Sequence, residues 1–178
     1  MEAVTFSFQS WDDAVRFGGG ADNLKLVNPI SADLSVMRPS ILPNLLSASA
    51  RNQDRGEADA AMFEVGPVFL GDAPEDQRTA ATGIRHGGTA PREWHGSSRA
   101  IDVFDARADA EAALAALGVK LPGVQVKAEG PDWFHPGRRG QLIQGRTVLA
   151  SFGEIHPAVA EAYGCLLYTS DAADEERG

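Results

Sequence analysis

The chain contains a single cysteine, Cys165, so no disulfide can form within it, and this fits a reducing compartment. It also lacks any apolar run that approaches the length of a membrane span. No basic start is followed by the apolar segment of a secretion signal. These absences favour a cytoplasmic protein that has no membrane partner.

Positive charge is scarce relative to negative charge. The chain has 16 Lys and Arg residues against 25 Asp and Glu residues, which gives a net charge of −9. An acidic chain is a poor candidate for wrapping nucleic acid through phosphate contacts or for binding anionic membranes. We therefore expect any contact with RNA to come from a local patch.

Sequence signatures of a self-contained active site are also missing. There is no G-x-S-x-G elbow, no plausible Cys–His pair and no Ser-x-x-Lys. The three glycines at 18–20 lack the Lys-Ser/Thr of a phosphate-binding loop, so they are interpreted as a helix stop. We predict neither catalytic nor cofactor-binding residues.

The histidines do not have the spacing of metal ligands. Zinc sites favour close spacings and often thiolates, and no two of these histidines share a helical turn. His135 and His156 each precede a proline, which favours extended backbone, and each is predicted at the boundary of an element. We predict structural roles for both and no metal site. The four histidines are His86, His95, His135 and His156.

Two arginines follow an aromatic pair in the stretch "PDWFHPGRRG". Arg138 and Arg139 could stack on a base or bind phosphate, with Trp133 and Phe134 nearby. The interpretation favoured by the acidic chain is a solvated loop whose aromatic side chains anchor it to the core.

The periodicity of apolar residues predicts an α+β fold with a six- or seven-stranded, mainly antiparallel sheet. Helices are predicted over Leu42–Arg51, with Ser40 as the cap and Pro43 in the first turn, and over Ala106–Leu117, capped by Asp105. The predicted strands include 4–8, 61–69 with a break at Gly66-Pro67, 79–87, the short "IDVFD" segment, 124–128, and a hairpin around Gly145.

The last residues depart from this pattern. The stretch from Cys165 to Gly178 has no periodicity, and its end is acidic. We expect one module over 1–164 and a non-native tail over 165–178.

Several stretches occur together in an order that is specific in combination. They are "NPIS-x-x-LSVMR-x-S-x-LP-x-LL", "HPGR" and "GEIHP", accompanied by "FEVGPVF" and "IDVFDARADAEAALAALG". From Glu2 to Gly164 the sequence resembles the β-subunit family of bacterial-type phenylalanyl-tRNA synthetases. The matched stretch resembles a class II synthetase catalytic domain that has lost its chemistry.

The resemblance implies roles for particular residues. The first class II motif would be Leu34 to Arg51, a helix and strand at the subunit interface. Eight signature residues would then be structural rather than catalytic. The implied interface residues are Met37, Arg38, Ile41, Leu42, Leu45 and Leu46, and the implied signature residues are His135, Pro136, Gly137, Arg138, Gly153, Glu154, His156 and Pro157.

The resemblance also implies what the chain does not do by itself. Active subunits carry an Arg in the second motif that grips ATP, whereas "FEVGPVF" has Glu64, Val65 and Gly66 there. The complete enzyme would use ATP and Mg²⁺, hold its active site in an α subunit, join two α with two β chains, and contact tRNA through other modules. Two alternatives stay open: a stand-alone enzyme that uses His135, His156 and Glu154, and a generic interaction domain.

Overall fold

The computed structural model describes residues 1–57, 59–90 and 98–164. His95 and the predicted tail, 165–178, lie outside the described residues. Within these ranges, no helix has the length and apolar character needed to cross a membrane.

The strands of the described residues form three separate antiparallel sheets. The expected α+β class and antiparallel pairing are confirmed, but the expectation of one sheet is wrong. Arg38 links the first sheet to the second: its N–H donates to Ser7 O, beside the first strand, at 3.0 Å, and its C=O accepts from Phe69 N of the second sheet at 2.9 Å. The pairs are β1 (Phe8–Gln9) with β2 (Val36–Met37), β3 (Ala60–Phe69) with β4 (Gln77–His86), and β5 (Gln125–Lys127), β6 (Phe134–Gln144) and β7 (Thr147–Ile155) in that order.

Strand β3 runs without the predicted break at Pro67, which lies opposite Thr79 on β4. The C=O of Pro67 accepts from the Arg38 side chain, so it points away from β4. A residue's N–H and C=O point to the same side of a strand, and the missing N–H therefore costs the β3–β4 ladder nothing.

Four α-helices are described, and the boundaries of two of them, the second and third along the chain, differ from those predicted. They are α1 (Trp11–Arg16), α2 (Leu42–Asp54), α3 (Val103–Ala116) and α4 (Pro157–Ala162). In α2, Pro43 lies in the first turn as predicted, but the helix continues past Arg51 to Asp54. Ile41 takes the cap position, while Ser40 Oγ still accepts from Leu42 N at 3.2 Å.

Helix α3 begins earlier than predicted because Asp102, not Asp105, is its cap. The Asp102 carboxylate accepts from the N–H groups of Phe104 and Asp105, and Asp105 accepts in return from Asp102 N. This reciprocal capping box makes the expected strand at "IDVFD" wrong. The Arg99 guanidinium and the Asp102 N–H lower the pKa of Asp105 to about 2.

Each larger sheet carries one helix on its face. Helix α2 packs on β3 and β4 through a cluster of buried side chains, and α3 packs on β6 and β7 through another. The first cluster contains Ile41, Leu45, Met62 and Val68, and the second contains Leu114, Leu142 and Phe152.

A third cluster is aromatic and joins α1 to α4. Phe17 lies 5.4 Å from the Trp133 ring and 6.2 Å from the Tyr163 ring, centroid to centroid. The Tyr163 hydroxyl donates to Asp13, at the start of the chain. Burial, followed by the bond to Asp13, raises the pKa of Tyr163 above its usual value. The cluster therefore connects elements that are far apart in sequence.

Candidate functional site

The predicted interface stripe lies inside this chain. Ile41 and Leu45 are completely buried, Leu42 and Leu46 are buried, and Met37 is partly buried. Ile41 and Leu45 pack with side chains of β3. Leu42 and Leu46 pack with Phe17 and Phe134, so the chain itself covers all four residues of the stripe. A role of these residues at a subunit contact stays a prediction.

Arg38 is the centre of a buried polar network. Its side chain is 1% exposed, and Nη1 donates to Glu64 Oε1 at 2.8 Å. Nη1 also donates to Thr5 Oγ1 at 3.0 Å, and Nε donates to Pro67 O at 2.9 Å. The Thr5 hydroxyl donates in turn to Glu64 Oε2 at 2.7 Å. The network ties the N-terminal segment, β2 and β3 together.

Gly66 leaves the space that the guanidinium occupies. A Cβ atom at this position would lie 2.5 Å from Arg38 Nη2. The sequence alone gives no sign that Glu64 is the partner of Arg38. Arg38 and Glu64 are 26 residues apart, and no local pattern connects them. The one available signal that Glu64 is buried is its spacing: it lies two residues after Met62, a core residue, on the same face of β3.

His135 and His156 both act as local acceptors for the backbone. His135 Nδ1 accepts from Gly137 N at 3.1 Å, and His156 Nδ1 accepts from Ala158 N at 3.2 Å. The predicted boundary is confirmed for His156, which is the N-cap of α4. It is wrong for His135, which lies inside β6 where the register with β7 shifts. The shift makes room for Pro136 and Gly137 within the strand.

Arg138 and Glu154 form an exposed ion pair across β6 and β7. Arg138 Nη2 donates to Glu154 Oε1 at 2.9 Å, and Nε donates to the other carboxylate oxygen. The bond to Glu154 raises the pKa of Arg138. The neighbouring Arg139 donates to Pro131 O at 2.9 Å and to Asp132 Oδ1 at 3.1 Å. Both guanidinium groups are thus engaged by the chain itself.

Gly153 is the signature residue with the closest packing in this region. Replacing it with alanine should destabilise the chain by about 1–3 kcal/mol. The new Cβ would lie 2.8 Å from Phe134 Cγ and 3.0 Å from Arg139 Cβ. Urea unfolding measures the change. Gly130→Ala is the matched control, because its Cβ would meet Arg139 Cδ at an ordinary 3.6 Å. Equal effects of the two substitutions would contradict the packing argument.

Among residues 1–57, 59–90 and 98–164, no group of three or more His, Cys, Asp or Glu side chains could hold a metal ion. His135, Glu154 and His156 come from adjoining segments of β6, β7 and α4, but each accepts a hydrogen bond from the chain's own backbone or guanidinium group.

A family model described as the phenylalanyl-tRNA synthetase β chain CLM domain matches residues 1–167. This chain belongs to that family. The phenylalanine–tRNA ligase β subunit of Rhodospirillum rubrum is 54% identical over 158 residues, which cover 89% of this chain and 20% of the relative. The β subunit of Brucella suis biovar 1 is 52% identical over 167 residues, which cover 91% of this chain and 21% of the relative. This CLM-domain chain thus spans about a fifth of the length of the curated relatives it matches.

Solved structures show the same fold for this CLM-domain chain at low sequence identity. Two structures of pyrrolysyl-tRNA synthetase from Desulfitobacterium hafniense match 93% of the chain, with TM-scores of 0.62 and 0.63. Their identities are 17% and 16%, and the match covers 56% and 57% of those chains. The expected class II aminoacyl-tRNA synthetase-like fold is confirmed.

Proposed function

We propose that this chain is a non-catalytic structural module of a phenylalanine–tRNA ligase β subunit. In this role it supports an α subunit that charges tRNA with phenylalanine in the cytoplasm. ATP and Mg²⁺ belong to the α subunit's reaction, and tRNA is bound through other modules. Residues 1–164 form the module, and the remaining residues are not needed for it.

The observation that carries the proposal is the family match over residues 1–167, together with relatives above 50% identity that are named as this β subunit. Fold similarity alone would not carry it, because unrelated functions share folds. The family membership supports the proposal that the chain is part of the ligase, and the geometry of β3 supports the proposal that its role there is non-catalytic.

The geometry of β3 argues against adenylate formation. An adenylate-forming subunit needs a cation that offsets the charge of the α-phosphate in the transition state. The second-motif stretch of β3 has Glu64, Val65 and Gly66 instead of an Arg. The nearest guanidinium is that of Arg38, which is buried and bonded to Glu64, Thr5 and Pro67. The Nε and Nη1 groups of this guanidinium are therefore engaged by the chain's own fold.

The chain alone should give no phenylalanine-dependent ATP–pyrophosphate exchange. Purified chain is assayed with and without phenylalanine, and a complete αβ ligase serves as the positive control. Exchange clearly above the blank, and dependent on phenylalanine, would contradict the non-catalytic assignment. A double variant, Arg38→Met with Glu64→Leu, removes this guanidinium without leaving Glu64 as an unpaired buried charge. It then decides whether any residual exchange comes from this chain or from a contaminating ligase.

The supporting role is tested by assembly. A full-length β subunit that lacks the region matching residues 1–164 is co-expressed with its α subunit. We expect loss of the αβ complex on size exclusion and loss of charging. Intact assembly with normal charging would contradict the proposed supporting role, but it would not affect the family membership.

The interface residues are part of the same proposal. Because the stripe is covered by the chain's own side chains, its members would contribute by holding α2 in place rather than by touching the partner directly. Met37 differs from the rest of the set, since it is only partly buried and lines an open cleft with Phe69 and Leu26.

A further inference from the structure

The two faces of β3 differ in what covers them. Met62, Glu64 and Val68 lie on one face of the strand and are buried, and Met62 and Val68 pack against α2. Between them, Phe63 and Val65 point the other way and are 47% and 55% exposed. Side chains alternate across a strand, so these two residues belong to the face opposite α2.

The N-terminal segment extends this opposite face. Ala3 N donates to Phe63 O at 2.7 Å and Phe63 N donates to Met1 O at 3.0 Å, so the segment lies parallel to β3. Thr5 points inward to Glu64. Val4 and Phe6 alternate with it and are 91% and 67% exposed.

Nothing bulky on β4 covers these side chains. Gly83 lies opposite Phe63 and Ala81 lies opposite Val65. Arg85, farther along β4, is bonded to Asp109 of α3. We call the four exposed residues the outer face: Val4, Phe6, Phe63 and Val65.

We propose that the outer face is covered, in the longer protein, by another segment of the same polypeptide. The chain is 20% of the length of its Rhodospirillum rubrum relative, so most of such a subunit lies outside these residues. An exposed apolar surface of several hundred Å² is unusual on a monomer and marks a site of contact.

The size of the outer face favours a segment of the same chain over a separate protein. A stable interface between proteins takes about 800 Å² from each partner, which is more than four side chains supply. A tethered segment is present at an effective concentration in the millimolar range and so needs less area to remain docked.

The hydrogen bonds of β3 define the chemistry of the covering segment. One edge of β3 is bonded to β4 and the other to the N-terminal segment at Met1 and Ala3. The segment therefore cannot add as a strand beside β3. It has to lie on the face and present apolar side chains, with no charged group at its centre, because burying an unpaired charge is costly.

Cysteine labelling tests this inference in the full-length β subunit. Val65→Cys is compared with Val148→Cys, a matched control on β7 whose parent side chain is 49% exposed. Each labelling rate with a maleimide is read at its own peptide by mass spectrometry and divided by the rate in denatured protein. In β alone, without α, we expect labelling at position 65 to be at least about tenfold slower than at position 148.

Val4→Cys provides a second position on the outer face and should be protected to a similar degree. Equal protection at positions 65 and 148 overturns the proposal. So does protection at position 65 that appears only when α is added, because the covering group is then a separate protein. The inference rests on family membership and not on the proposed role in charging, since labelling is read without any aminoacylation assay.

Discussion

Replacing Glu64 with alanine should lower the free energy of unfolding by about 3–5 kcal/mol. The substitution leaves the Arg38 guanidinium uncompensated at a position where its side chain is 1% exposed. It also leaves the Thr5 hydroxyl without its acceptor. The loss is measured by urea unfolding, followed by both far-UV circular dichroism and tryptophan fluorescence.

The double substitution Arg38→Met with Glu64→Leu removes both charges. It separates the destabilisation caused by an unpaired buried charge from the net contribution of the ion pair to stability. Apolar groups of similar volume often replace a buried ion pair at little cost, so most of the lost stability should return. Glu154→Gln is the surface control, because the Arg138–Glu154 pair is exposed and should change the midpoint little. A loss for Glu64→Ala no larger than that control would show that the buried network does not hold the fold.

Leu45→Ala should lower the free energy of unfolding of the chain alone by about 2–5 kcal/mol. Leu45 is fully buried and belongs to the cluster of Ile41, Met62 and Val68 between α2 and β3. Deleting its side chain leaves a cavity that the sheet beneath can only partly close. The change is measured by urea unfolding without any partner protein.

The same substitution separates two roles for the predicted interface stripe. If Leu45 acts mainly in a subunit contact, the isolated chain keeps its stability and only binding to α weakens. Val148→Ala, at an exposed position on β7, is the control and should change stability by no more than about 0.5 kcal/mol. Equal small effects of both substitutions would contradict the core assignment of Leu45.

Local signals in the sequence predicted several elements of the fold correctly. Pro43 marked the first turn of α2, Gly145 marked the β6–β7 turn, and His156-Pro157 marked the start of α4. Each depends on backbone restrictions that neighbouring residues impose, so it is visible without tertiary contacts.

Features that depend on distant partners were missed. The start of α3 was misplaced because Asp102 and Asp105 are both good caps, and only the capping box decides between them. The Arg38–Glu64 pair was missed because its partners come from different elements. The division into three sheets was missed because strand pairing is a long-range choice that alternation alone does not specify.

Within the candidate site, sequence reasoning assigned His135 and His156 structural roles, and in the structure both accept hydrogen bonds from backbone N–H groups. It could not decide what covers the α2 stripe, because periodicity identifies an apolar face without naming the surface that covers it. In this chain the cover is β3 and β4 for Ile41 and Leu45, and Phe17 and Phe134 for Leu42 and Leu46.

The aromatic cluster has a consequence for the order in which the chain is made. The Tyr163 hydroxyl meets Asp13 across 150 residues of sequence. At synthesis rates of about 5–20 residues per second, Asp13 exists for roughly 8–30 s before Tyr163 is added. For most of that interval neither Trp133 nor Tyr163 has been added to the chain, so Phe17 has no aromatic partner to pack against. Until translation reaches α4, Phe17 lacks one or both of its aromatic partners, and an apolar side chain exposed during synthesis is the kind of surface that chaperones bind.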